Sequence, residues 1–114
     1  WREHLHTEDA RLVTSEAVLW EYLNESSRMS SRLAAARFYR TCCFDSGISI
    51  VRFSAGLTEM SIRLYEDRQD KEWSLTDCMS FVIMQERGLT EALTTDRHFE
   101  QAGYKALLRV KPPR

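Results

Sequence analysis

The chain predicts an α/β fold built on a parallel sheet, and three observations carry that prediction. Segments with helical spacing of apolar residues alternate with short strand-like segments in the order α-β-α-α-β-α-α-β-α-β. Breakers are few: four glycines and two prolines, both prolines in the terminal Lys111-Pro112-Pro113-Arg114, so connections are short. One segment, Ser74 to Arg87, is apolar on most faces through Met79, Phe81, Val82, Ile83 and Met84, which predicts a buried central helix.

Each element has a local reason. Trp1 and Leu5, four apart, read as the last turns of an amphipathic helix, and Arg11 to Thr14 as a short strand. Ser15 is placed as N-cap of a helix reaching Asn24, with Val18, Leu19, Tyr22 and Leu23 at helical spacing. Ser30 to Cys42 forms the next helix on Leu33, Ala34, Ala36, Phe38 and Tyr39. Gly47 closes the loop before a strand from Ile48 to Phe53, marked by its alternation and β-branched residues. Ser54 to Glu66 returns to helical spacing through Leu57, Met60, Leu64 and Tyr65, and the polar run Asp67 to Glu72 is a loop. The central helix opens on Ser74-Leu75-Thr76-Asp77, a capping-box arrangement, and ends at Gly88, the usual C′ residue. Glu91 to Thr95 is a strand, His98 to Ala102 a short helix, and Tyr104 to Leu108 the final strand.

A chain of 114 residues has room for one core, so residues 1–110 read as a single domain followed by a tail, 111–114. Hydrophobic residues at 43% and charged residues at 29% exclude disorder and collagen-like repeats. Sixteen Lys+Arg against seventeen Asp+Glu leave a net charge of −1, so any nucleic-acid contact is local rather than driven by bulk charge. No apolar run nears the ~20 residues needed to cross a bilayer, and the charged start Trp1-Arg2-Glu3-His4 is no secretory signal. A cytoplasmic protein without membrane contact is the expectation. Three cysteines, Cys42 and Cys43 adjacent, make a poor disulfide framework, and no C-x-x-C pair offers a zinc site. The glycine-rich phosphate loops of nucleotide binders are missing as well.

Three acids stand where folding alone would not put them. Glu21 lies inside Val18-Leu19-Trp20-Glu21-Tyr22-Leu23 and is expected to be partly buried, which is costly for a carboxylate without a positive partner. Asp77 opens the most apolar helix, and Asp96 follows a strand end, where sites form in parallel α/β sheets. Each also has a simpler reading: Glu21 as a salt-bridged residue at the core edge, Asp77 in the capping box, Asp96 as an N-cap. Taken together they point to a cation site. Two unit charges ~4 Å apart repel by about 4 kcal/mol at an effective dielectric of 20, so clustered carboxylates favour binding a cation. Hard oxygen ligands suit Mg²⁺ or Mn²⁺, ions that clamp a phosphodiester and activate water for in-line attack.

Thr76-Asp77-Cys78-Met79-Ser80-Phe81, then Leu93-Thr94-Thr95-Asp96-Arg97-His98-Phe99 and Gly103-Tyr104, resemble the C-terminal half of PIN domains. The nearest likeness is to VapC-like ribonuclease toxins of type II toxin–antitoxin pairs. Upstream, Val18-Leu19-Trp20-Glu21-Tyr22-Leu23-Asn24 looks like the family's helix with its first Glu. The resemblance implies a Rossmann-like α/β/α sandwich and a metal-dependent endoribonuclease. By position it makes Glu21, Asp77 and Asp96 the catalytic, metal-binding acids for Mg²⁺ or Mn²⁺, with Ser80, Thr94 and His98 in supporting places around them. It also implies an RNA substrate, a cognate antitoxin and a homodimer. Arg52, Arg63, Arg68, Lys71, Arg97, Lys105 and Arg109 are cations available to RNA.

The family's domain starts with a central strand ending in Asp, in a sheet of order resembling 3-2-1-4-5. No such segment is present, and Trp1 to His6 match the helix after it. The expectation is a fragment lacking that strand, or another segment in its place. If the first acid is truly lost, the fold would serve instead as a non-catalytic protein- or RNA-interaction module. An upstream strand ending in Asp would restore the enzyme.

Overall fold

The computed structural model describes residues 11–94 and 96–107, in which helices alternate with parallel strand pairs. These residues fall into two compact units, one ending at Phe53 and one beginning at Ser54. No helix among the described residues is long and apolar enough to cross a membrane. The expected helix at Trp1 to Leu5 and the tail 111–114 lie outside the described residues.

The first unit runs β1 (Leu12–Ser15), α1 (Glu16–Glu25), α2 (Arg32–Phe44) and β2 (Ile48–Val51). The two strands pair in parallel, Leu12 opposite Ile48 through Ser15 opposite Val51. Parallel neighbours need a long crossover, which α1 and α2 supply. Ser15 ends the strand and caps the helix at once, its side chain accepting the Val18 N–H at 3.2 Å. The expected strand to Phe53 stops at Val51 because the Phe53 N–H donates to the Glu16 carboxylate at 2.7 Å instead of to a neighbouring strand. The second helix runs to Phe44, beyond its expected end at Cys42. Its last turn closes when the Asp45 N–H donates to the Thr41 carbonyl at 3.0 Å.

The second unit runs α3 (Ala55–Asp67), α4 (Leu75–Arg87), β3 (Glu91–Ala92), α5 (Arg97–Gln101) and β4 (Lys105–Ala106). The Ser54 side chain caps α3 by accepting the Leu57 N–H at 3.1 Å. As its composition predicts, α4 buries Cys78, Met79, Phe81, Val82, Ile83 and Met84. Phe81 sits at the centre of an aromatic cluster. Trp73 and Phe99 meet it edge-on at 4.9 Å between ring centroids, and Tyr104 stacks at 5.8 Å. Gly88 ends the helix at φ +66, where a side chain would be strained, and the Leu89 N–H returns to the Met84 carbonyl at 2.8 Å.

Strands β3 and β4 are two residues each, shorter than Glu91 to Thr95 and Tyr104 to Leu108. The Thr94 N–H turns back to the Ala92 carbonyl at 3.0 Å, which ends β3. They pair in parallel, Glu91 with Lys105 and Ala92 with Ala106. The described strands form two separate two-stranded sheets, and the implied central strand has no counterpart among the described residues.

Candidate metal centre

Asp77 is held by the start of α4. Its N–H donates to the Ser74 hydroxyl at 3.0 Å, and its Oδ2 accepts the Ser74 N–H at 3.1 Å. A carboxylate in the first turn of a helix also faces the positive end of the helix dipole. Asp96 is the N-cap of α5: its Oδ1 accepts the His98 N–H at 2.8 Å, while its own N–H donates to the Thr94 hydroxyl at 3.0 Å. The capping roles proposed as the simpler readings are thus both present. They orient the carboxylates without consuming them, since none of these bonds uses Oδ1 of Asp77 or Oδ2 of Asp96.

His98 joins the two acids. Its Nδ1 lies 3.0 Å from Asp77 Oδ2 and 3.5 Å from Asp96 Oδ1. A hydrogen bond to a carboxylate places the proton on Nδ1. One ligand-capable atom from each of Asp77, Asp96 and His98 lies within 4.8 Å of the others, and all three residues are half-buried. Two carboxylates make a hard-oxygen donor set that fits Mg²⁺ or Mn²⁺, and an adjacent imidazole is compatible with Mn²⁺.

The structure brings together Asp77, Asp96 and His98; Glu21 belongs to the other unit and is not among them. The expected partial burial of Glu21 is corrected, for it is exposed. Its apolar neighbours in sequence, Trp20 and Tyr22, are exposed too, at 57% and 40%, and α1 buries only Ala17 and Leu19. Adjacent helical residues point in different directions, so an apolar run around an acid does not bury it. Ser80 is half-buried on α4, three residues after Asp77 and so on the same face.

Sequence reasoning gave Ser74 only a cap; the structure shows it gripping the Asp77 carboxylate, a role the capping-box spacing could have revealed. It also missed Glu16, whose carboxylate takes the Phe53 N–H and the Arg52 guanidinium, the latter at 3.4 Å. Several of the cations considered for RNA are engaged by acids: Arg52 by Glu16, Arg63 by Glu59 at 3.1 Å, and Arg68 by Asp70 at 2.9 Å.

The family model described as PIN domain matches residues 1–104. The crystal structure of the Mycobacterium tuberculosis VapC20 toxin, which cleaves the Sarcin-Ricin loop, is similar to this chain with a TM-score of 0.76. Identity is 23%, over 90% of this chain and 78% of that one, a likeness that establishes the fold. No curated protein matches the sequence.

Proposed function

The chain belongs to the PIN domain family, and we propose that it is a metal-dependent endoribonuclease, the toxin of a toxin–antitoxin pair. The observation that carries this reading is the convergence of Asp77, Asp96 and His98. The fold shared with a toxin that cleaves the Sarcin-Ricin loop supports RNA as the substrate class. In this reading Asp77 and Asp96 hold Mg²⁺ or Mn²⁺. When bound, such an ion neutralises a scissile phosphate and lowers the pKa of a water for in-line attack.

The protein's own residues set up that chemistry. Ser74 and His98 hold Oδ2 of Asp77 from two sides and leave its second oxygen to face a cation. Thr94 fixes the backbone of Asp96, whose Oδ1 is tied to α5. Ser80 lies on the face of α4 that carries Asp77 and is assigned a supporting place near the cation. The reading puts the protein in the cytoplasm as a homodimer, with a cognate antitoxin to restrain it.

An RNA cleavage assay on the full chain tests it. Cleavage is expected with Mg²⁺ or Mn²⁺ and none with a chelator. Asp77→Asn is expected to lose roughly 100-fold or more, the scale of a few kcal/mol of transition-state stabilisation. Wild-type cleavage by Asp77→Asn would remove Asp77 from the mechanism.

A further inference from the structure

Beside the candidate metal centre, Tyr65, Arg68, Lys71, Glu72, Trp73 and Ser74 line a cavity of about 470 Å³. That volume is within the range of small-molecule sites. We propose that it is a nucleotide subsite, receiving one base of the RNA strand next to the scissile phosphate. The inference rests on the nuclease reading above.

The walls have the chemistry of base recognition. The Arg68 guanidinium lies 5.0 Å from the Trp73 ring centroid and is pinned by two hydrogen bonds to Asp70, at 2.9 and 3.0 Å. It is therefore a fixed, charge-compensated plate rather than a free cation. The indole beneath it is fixed as well, its N–H donating to Gln101 at 3.0 Å and its ring set against Phe81. Tyr65, in the last turn of α3, is half-exposed at 51% and brings a second flat ring. Single-stranded RNA is read by stacking on such aromatic and guanidinium planes. Lys71 supplies a cation for phosphate, and the Glu72 carboxylate an acceptor for a base amino group.

Position links the cavity to catalysis. Ser74 lines it and, by the reciprocal bonds described above, also holds the Asp77 carboxylate. Ser74 therefore belongs to both, joining the cavity wall to the acid that would hold the cation.

The test is fluorescence anisotropy of a labelled single-stranded RNA of mixed sequence, with Asp77→Asn as the non-cleaving parent. Adding Tyr65→Ala or Lys71→Met is expected to weaken binding by about tenfold each. Arg40→Ala, an exposed cation on α2 that is neither in the cavity wall nor among the cations assigned to RNA, is expected to change it little. Melting temperature and, in the wild-type background, Mn²⁺ binding should stay the same. Unchanged RNA affinity in both cavity variants overturns the subsite and leaves the nuclease reading standing. No RNA binding by the parent, together with no cleavage by the wild type, overturns both.

Discussion

Nδ1 of His98 lies 3.0 Å from Oδ2 of Asp77, while the backbone N–H of the same histidine is held by Asp96 at 2.8 Å. One residue therefore links two acids that stand 19 positions apart in the chain. Asp96 caps α5 and so fixes where the imidazole sits; the imidazole then fixes Asp77. Partners of this kind behind metal ligands typically matter by about 10–100-fold in metal affinity. His98→Ala is expected to weaken Mn²⁺ binding on that scale in calorimetry. His98→Asn, which keeps an N–H close to the Nδ1 position, should restore part of it. Equal Mn²⁺ affinity for wild type and His98→Ala would deny His98 this role.

Phe81 is buried to 3% exposure and touches Trp73, Phe99 and Tyr104. Phe81→Ala is expected to cost about 3–5 kcal/mol in urea denaturation, the usual cost of deleting a core ring. A loss below ~1 kcal/mol would mean that this cluster does not hold the unit together.

Burial pushes the Tyr104 phenol above its ordinary value. Its hydroxyl donates to the Phe81 carbonyl at 3.3 Å. Folding thus favours the neutral form, and the sign follows. Stability is complete below the unfolded tyrosine value, near ~10, and falls as pH rises toward the folded one. Tyr104→Phe should flatten that alkaline decline in thermal melts between about pH 9 and 11; an unchanged slope would assign the decline to other groups.

Cys78 and Cys42 are buried, and burial raises both thiols, whereas Cys43 is exposed. Thiolates are the reactive species. Ellman's reagent should therefore modify one cysteine in the native protein, lost in Cys43→Ser, and all three after denaturation. Rapid native labelling of Cys78 would contradict the packing of α4.

Much of the fold was legible because its signals are local. Ser15, Ser54, Ser74 and Asp96 were each followed by a helix, and Gly88 ended α4. The PIN likeness was legible through Asp77 and Asp96 with their neighbours, the residues that the fold places together. Strand ends were less so, because they depend on partners. Phe53 leaves β2 for the Glu16 carboxylate, a contact no window of residues 48–53 contains. The burial of Glu21, as distinct from its role, was misjudged for a related reason: neighbours in sequence do not surround a helical side chain, and α1 turns Trp20 and Tyr22 outward. The grip of Ser74 and His98 on one carboxylate oxygen joins residues 24 apart, and only the folded chain shows it.

A calorimetric titration of Mn²⁺ into the wild-type protein, Asp77→Asn and Asp96→Asn tests the account most directly, with Mg²⁺ run in parallel. Saturable binding to the wild type is predicted, weakened at least about tenfold by either amide, equivalent to ~1.4 kcal/mol. Identical titrations for all three proteins, or no binding to any, would contradict a cation held by this pair of carboxylates.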